Sequence, residues 1–106
     1  MNATIGSGRG AASDMLARLD LESHIGYVPF PGTLNIRFAI APSRCRPHLV
    51  IEGHQLFPVT INGVEGHLIR WPHDERSVSF EVIAPVHLRS TLGISDRQMV
   101  DVQFHD

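Results

Sequence analysis

Three polar residues alternate along one short segment of the sequence, and their types suit the binding of a metal ion or an anion. Thr33, Asn35 and Arg37 are separated by apolar residues in this segment. Side chains two positions apart on a β-strand project to the same face, about 6.6 Å apart. A hydroxyl and an amide oxygen so placed could bind one hard cation, and the guanidinium could meet an anion. The alternative is an ordinary strand with a polar outer face behind a proline-rich turn.

A run of closely spaced glycines offers a second kind of chemistry. Gly6-Ser7-Gly8-Arg9-Gly10 would let the backbone approach a ligand and turn successive N–H groups toward an anion. It is not the dinucleotide-binding fingerprint, because the glycine spacing differs and no convincing strand precedes it. The alternative is a flexible segment without a ligand.

Glu81 is the third candidate, because it interrupts an apolar strand pattern. Alternation over residues 78–83 places Glu81 on the same face as Ile83, opposite Phe80 and Val82. A carboxylate in that setting is expected to be partly buried and to bind a hydrogen-bond donor. The alternative is a tolerated charge on an edge strand.

Length and composition set the class of protein. The 106 residues with 42% hydrophobic content predict a single soluble domain over residues 1–106. No apolar run approaches the ~20 residues needed to cross a bilayer, so we expect a cytoplasmic protein with no membrane partner. The single cysteine, Cys45, excludes an internal disulfide.

Charge narrows the chemistry further. The net charge of −2 does not favour binding to nucleic acid. All nine basic residues are arginine, which excludes a Schiff-base lysine and a P-loop lysine. A nucleotide would have to be held by backbone N–H groups, arginine and a metal ion. The spacing of the seven histidines is not that of a zinc site, and the sequence contains no motif of a serine–histidine–aspartate catalytic triad.

The periodicity predicts a mainly β protein with two short helices. Asn62-Gly63 predicts a tight hairpin turn, and Pro85 suits the first turn of a helix that Gly93 ends. The expected elements are helices over residues 13–21 and 85–93 and strands over residues 33–38, 48–52, 56–61, 64–71, 78–83 and 99–104. About six strands with such regular turns indicate a small barrel or sandwich.

Two segments resemble the CTP-dependent, archaeal-type riboflavin kinases. One is Gly-Tyr-Val-Pro-Phe-Pro-Gly-Thr-Leu-Asn over residues 26–35, and the other is Glu-Val-Ile-Ala-Pro-Val-His-Leu-Arg over residues 81–89. The resemblance implies a six-stranded cradle-loop β-barrel with two short helices. It also implies Mg²⁺-dependent transfer of the γ-phosphoryl group of CTP to the 5′-hydroxyl of riboflavin, which gives FMN and CDP.

Site residues follow from the same resemblance. Thr33 and Asn35 would coordinate Mg²⁺, and Glu81 would contact the flavin and serve catalysis. The flavin-contacting threonine of the family has no clear match, and Ser77 and His73 are the candidate replacements. The nucleotide would be bound by two sets of residues: Gly6, Ser7, Gly8, Arg9 and Gly10, and Val86, His87, Leu88 and Arg89. The family follows its glycine loop with arginine, whereas this sequence has Ala11.

Two other functions remain open at this stage. A flavin- or nucleotide-binding module that has lost catalysis would fit the altered glycine loop. A DNA-binding barrel of the AbrB type would fit the likeness of residues 85–102 to that group, but it conflicts with the net negative charge. As an enzyme, the protein is expected to use small-molecule substrates and to be a monomer or small homo-oligomer.

Overall fold

The computed structural model describes residues 1–6, 21–30, 34–40, 42, 49–51, 53–70 and 78–105. Within these residues the chain forms seven strands and two short helices. In chain order they are β1 (Asn2–Gly6), α1 (Glu22–Ile25), β2 (Leu34–Phe38), β3 (Leu49–Ile51), β4 (His54–Ile61), β5 (Val64–Arg70), β6 (Ser79–Ile83), α2 (Leu88–Leu92) and β7 (Met99–Phe104). Of the first predicted helix, only its last residue, Leu21, is described, so that prediction lies outside the described residues; α1 begins after Leu21.

Six of the strands close into an antiparallel barrel. The sheet order is β3-β4-β5-β6-β2-β1-β7, and an additional pairing of β4 with β7 closes the ring. The predicted mainly β, six-stranded barrel with two short helices is therefore confirmed. The six strands of the barrel differ from the six that were predicted. The predicted strand at β3 pairs only with the first part of β4, and β1, which was not predicted, supplies the sixth strand of the barrel. The prediction that no strand precedes the glycine run is wrong, because β1 leads directly into it.

The barrel interior is filled by the faces that alternation predicted. Leu34, Ile36 and Phe38 of β2 are buried, as are Val100 and Val102 of β7. Three phenylalanines point inward and meet edge to face. The ring centroid of Phe80 lies 5.5 Å from that of Phe38 and 6.4 Å from that of Phe57. Such contacts add to the burial of apolar area that stabilises the barrel.

A second apolar cluster covers part of the outer surface. Leu21, Leu56, Ile69 and Ile83 are buried together, and Ile25 of α1 packs against them. The sheet is therefore buried on both faces here, so an outward-facing position on β6 is not a solvent position. No helix in the described part of the chain is long and apolar enough to span a membrane.

The turns explain two of the element ends. Asn62 and Gly63 both have positive φ, 47° and 86°, as the predicted hairpin turn requires. Gly93 caps α2 in the left-handed conformation with φ 63°, as predicted. The helix itself begins at Leu88, so the expectation that Pro85 lies in its first turn is wrong.

Candidate active site

Three of the candidate residues lie side by side across neighbouring strands. Asn35 of β2 pairs with Gly6 of β1 on one side and with Glu81 of β6 on the other. Directly paired residues in antiparallel strands point to the same face. Gly6, Asn35 and Glu81 therefore form one row on the outer face of the barrel, which we call the ligand row.

Asn35 is the central member of this row. Its Nδ2 atom is buried and has no hydrogen-bond partner among the described residues. An unpaired buried amide is costly, and a bound ligand would satisfy it. Rotation of the amide presents its oxygen at the same place, which suits a hard cation. Thr33, the other expected metal ligand, lies outside the described residues.

Gly6 keeps the row open next to Asn35. A Cβ atom added at Gly6 would lie 4.0 Å from Cβ of Asn35 and 3.9 Å from its carbonyl oxygen. The missing side chain thus leaves space beside the buried amide. The rest of the glycine run, residues 7–10, lies outside the described residues.

Glu81 completes the row as a buried carboxylate, with only 7% of its surface exposed. On its other side it pairs with Ile69 of β5, a member of the outer apolar cluster. The prediction of a partly buried Glu81 is confirmed, and the second cluster is the physical reason. Ser77 and His73, the possible replacements for the flavin-contacting threonine, lie outside the described residues.

Arg89 connects α2 to the first member of the row. Its Nη2 atom donates a hydrogen bond to the carbonyl oxygen of Gly6 at 3.1 Å and contacts a carboxylate oxygen of Asp96 at 2.6 Å. A guanidinium with five N–H donors can hold protein groups on one edge and an anion on the other. The row therefore has a fixed cation beside it.

The other residues expected to bind nucleotide differ in accessibility. Val86 and the aromatic residue Phe30 are partly exposed, and the Phe30 ring lies 5.1 Å from the ring of His87. Nδ1 of His87 lies 2.6 Å from Oγ of Ser90, which fixes the imidazole at the start of α2. Leu88 is buried in the barrel core, so only its backbone is available to a ligand.

A separate cavity lies farther along the outer surface. It has a volume of about 340 Å³, and its polar lining includes Tyr27, Glu65, His67 and His105. The hydroxyl of Tyr27 lies 2.8 Å from Nδ1 of His67. Burial, with a smaller effect of the Glu65 carboxylate, raises the pKa of Tyr27. Periodicity did not reveal this cavity, because it is formed by segments that are distant in sequence.

The chemistry available at the ligand row is that of phosphate binding and positioning. An amide, a carboxylate, an open strand end and an arginine converge there. In the part of the chain that the structure describes, no group of three or more His, Cys, Asp or Glu side chains could hold a metal ion. Mg²⁺ commonly combines one or two protein ligands with the oxygen atoms of a bound phosphate, and the amide oxygen of Asn35 could be one such ligand.

Comparison with known proteins gives one consistent result. A family model, CTP-dep_RFKase, described as "Domain of unknown function DUF120", matches residues 4–104. The chain is 36% identical to a riboflavin kinase of Pyrobaculum arsenaticum, over 78% of this chain and 48% of the relative. It is 32% identical to a riboflavin kinase of Archaeoglobus fulgidus, over 93% and 50%.

A riboflavin kinase of Aeropyrum pernix is 33% identical, over 95% of this chain and 90% of that relative. The chain otherwise spans about half the length of the first curated relatives that it matches.

Proposed function

The chain belongs to the CTP-dep_RFKase family, and from that premise we propose that it is a CTP-dependent riboflavin kinase. The proposed reaction transfers the γ-phosphoryl group of CTP to the 5′-hydroxyl of riboflavin. The observation that carries the proposal is the ligand row, in which an amide whose buried nitrogen has no partner among the described residues lies between an open glycine and a buried carboxylate.

The transfer forms one bond and breaks one. The riboflavin 5′-oxygen bonds to the γ-phosphorus, the bond from that phosphorus to the bridging oxygen breaks, and CDP leaves. The hydroxyl proton is released as FMN forms. Such reactions depend mainly on positioning and on neutralising phosphate charge. Mg²⁺, when bound, supplies part of that neutralisation.

Each member of the row has a distinct part in this proposal. Asn35, with Thr33, would hold the metal ion through oxygen atoms. The Glu81 carboxylate would accept a hydrogen bond from the riboflavin hydroxyl and receive its proton. The buried setting of Glu81 supports this part, since a carboxylate shielded from water interacts more strongly with a positioned donor.

Gly6 and Arg89 would bind the phosphates of the nucleotide. The Gly6–Gly10 run would present backbone N–H groups to the phosphates, and Arg89 would add positive charge beside them. Val86 and His87 would contact the cytidine portion, with the backbone of Leu88. With no lysine in the sequence, arginine supplies the permanent positive charge of the side chains, and backbone N–H groups add further donors.

The decisive experiment measures FMN formation from riboflavin and Mg²⁺ with CTP, with ATP and without nucleotide. FMN formed with CTP, and not without nucleotide, is the expected result, and a clear preference for CTP over ATP would support the donor assignment. If flavin or CTP binds but no nucleotide yields FMN, the protein is a binding module and the proposed activity is wrong.

Asn35→Ala tests the metal ligand directly. We expect loss of Mg²⁺-dependent turnover with little change in the melting temperature, because the removed Nδ2 atom has no partner among the described residues. Asn35→Asp, which keeps an oxygen ligand, should retain more activity than Asn35→Ala. Full activity of Asn35→Ala would contradict the assignment.

A further inference from the structure

The turn that follows α2 holds strand β1 immediately before the glycine run. The N–H of Arg97 donates to the carbonyl oxygen of Ile5 at 2.8 Å, and the N–H of Ile5 donates to the carbonyl oxygen of Gln98 at 2.8 Å. The turn is also held internally, since the N–H of Ser95 donates to Oε1 of Gln98 at 2.6 Å. Asp96 therefore lies on a turn that is fixed both internally and against β1.

Asp96 uses this fixed place to hold Arg89. Their ion pair measures 2.6 Å, and the same Nη2 atom of Arg89 donates to the Gly6 carbonyl oxygen at 3.1 Å. The three residues form a continuous chain of contacts from the turn, through α2, to the end of β1. Because both contacts use Nη2, they leave the N–H groups of Nε and Nη1 as the donors with which Arg89 could bind an anion.

We infer that Asp96 is a positioning residue for the nucleotide, acting through Arg89 on the first residue of the glycine run. The inference rests on the proposed function for its consequence in catalysis. An exposed ion pair contributes little to folding stability by itself. Its effect here is geometric, since it restrains a long side chain whose remaining N–H donors would bind the nucleotide phosphates in the proposed function.

Removal of the Asp96 charge should therefore affect nucleotide binding selectively. In Asp96→Asn, Arg89 loses its charged anchor and the Gly6 carbonyl loses a restrained donor. We expect the KM for CTP to rise about five- to tenfold, as for the loss of one charge-assisted hydrogen bond. The KM for riboflavin should stay unchanged and kcat should change less than the KM for CTP. Asp96→Glu, which keeps the carboxylate, should restore part of the lost affinity.

Asp101→Asn is the matched control. The side chains of Asp96 and Asp101 are both 53% exposed, so neither substitution removes core packing, and both change the net charge equally. Asp101 lies on β7, outside the contacts to Arg89 and Gly6. We expect Asp101→Asn to keep the wild-type KM for CTP, which separates positioning from the overall charge.

Amide hydrogen exchange without substrates provides a readout that does not depend on activity. Exchange at Gly6 should be faster in Asp96→Asn than in wild type or Asp101→Asn. If the wild type makes no FMN, the proposed function fails, while the exchange result still tests the contact chain. Equal exchange and equal KM in the two variants would overturn the inference. A lower KM for CTP in Asp96→Asn would also overturn it, because it would show that Asp96 competes with the nucleotide for Arg89.

Discussion

Substitution of Gly66 by alanine should destabilise the barrel strongly, because β5 and β6 approach too closely there for a side chain. A Cβ atom at Gly66 would lie 2.6 Å from the carbonyl oxygen of Ile83 and 3.5 Å from Cβ of Ala84. The oxygen belongs to the backbone, and the adjacent pair His67–Ile83 is part of the β5–β6 ladder. The clash therefore cannot be relieved by a side-chain rotation.

The size of the effect follows from this geometry. To reach an ordinary contact, the two atoms must move from 2.6 Å to at least 3.4 Å. Overpacking of this kind costs about 1–3 kcal/mol, and one strained or broken ladder hydrogen bond adds about 1 kcal/mol. We expect a loss of ~2–4 kcal/mol in the free energy of unfolding. For a chain of this size that lowers the melting temperature by ~10–25 °C.

Urea unfolding followed by circular dichroism measures this loss, and Gly6→Ala is the control. Gly6 is also a strand glycine, but an added Cβ there meets nothing closer than 3.9 Å. Its free energy of unfolding should stay within ~0.5 kcal/mol of the wild-type value. Equal unfolding midpoints for Gly66→Ala and Gly6→Ala would refute the steric reasoning.

Two further predictions concern the ligand row and the cavity. In Gly6→Ala, the methyl group beside Asn35 should raise the KM for CTP while the fold persists; an unchanged KM would count against the row as a nucleotide surface. Burial raises the pKa of Tyr27 above its ordinary value of 10.0. The contribution of Tyr27 to the free energy of unfolding is therefore fully present below pH 10 and should decrease above it, because only the unfolded chain releases the phenol proton there. Denaturant unfolding at pH values below and above 10 measures this decrease in the free energy of unfolding. The decrease should be smaller in Tyr27→Phe.

Alternation predicted the parts of the fold in which one face of a strand packs inward. The inner faces of β2, β6 and β7 follow directly from apolar residues two positions apart. Strand β1 was missed because Ala3 and Ile5 are its only buried residues, which is too short a pattern to recognise. Its strand conformation depends on pairing with β2 and β7, which are distant in sequence.

The candidate site was predictable as separate residues and not as an arrangement. The sequence placed Asn35 and Glu81 on strands, and the family resemblance gave them roles. Their direct pairing depends on the register between β2 and β6, which no local pattern specifies. Asp96 carried no sequence signal, since its significance arises only from the turn that brings it to Arg89.

The closure of the barrel has a consequence for the order in which the protein can mature. Asn35 and Glu81 can pair once β2 and β6 exist, whereas β1 gains its second neighbour only when Asn2 meets Asp101 of β7. Contacts between such distant parts of a chain form slowly, because a long loop must be closed first. During synthesis, the flavin side of the proposed site could therefore assemble before its nucleotide side. The hydrogen bonds of Ile5 to Arg97 and Gln98, which hold β1 beside Gly6, require the segment that leads into β7.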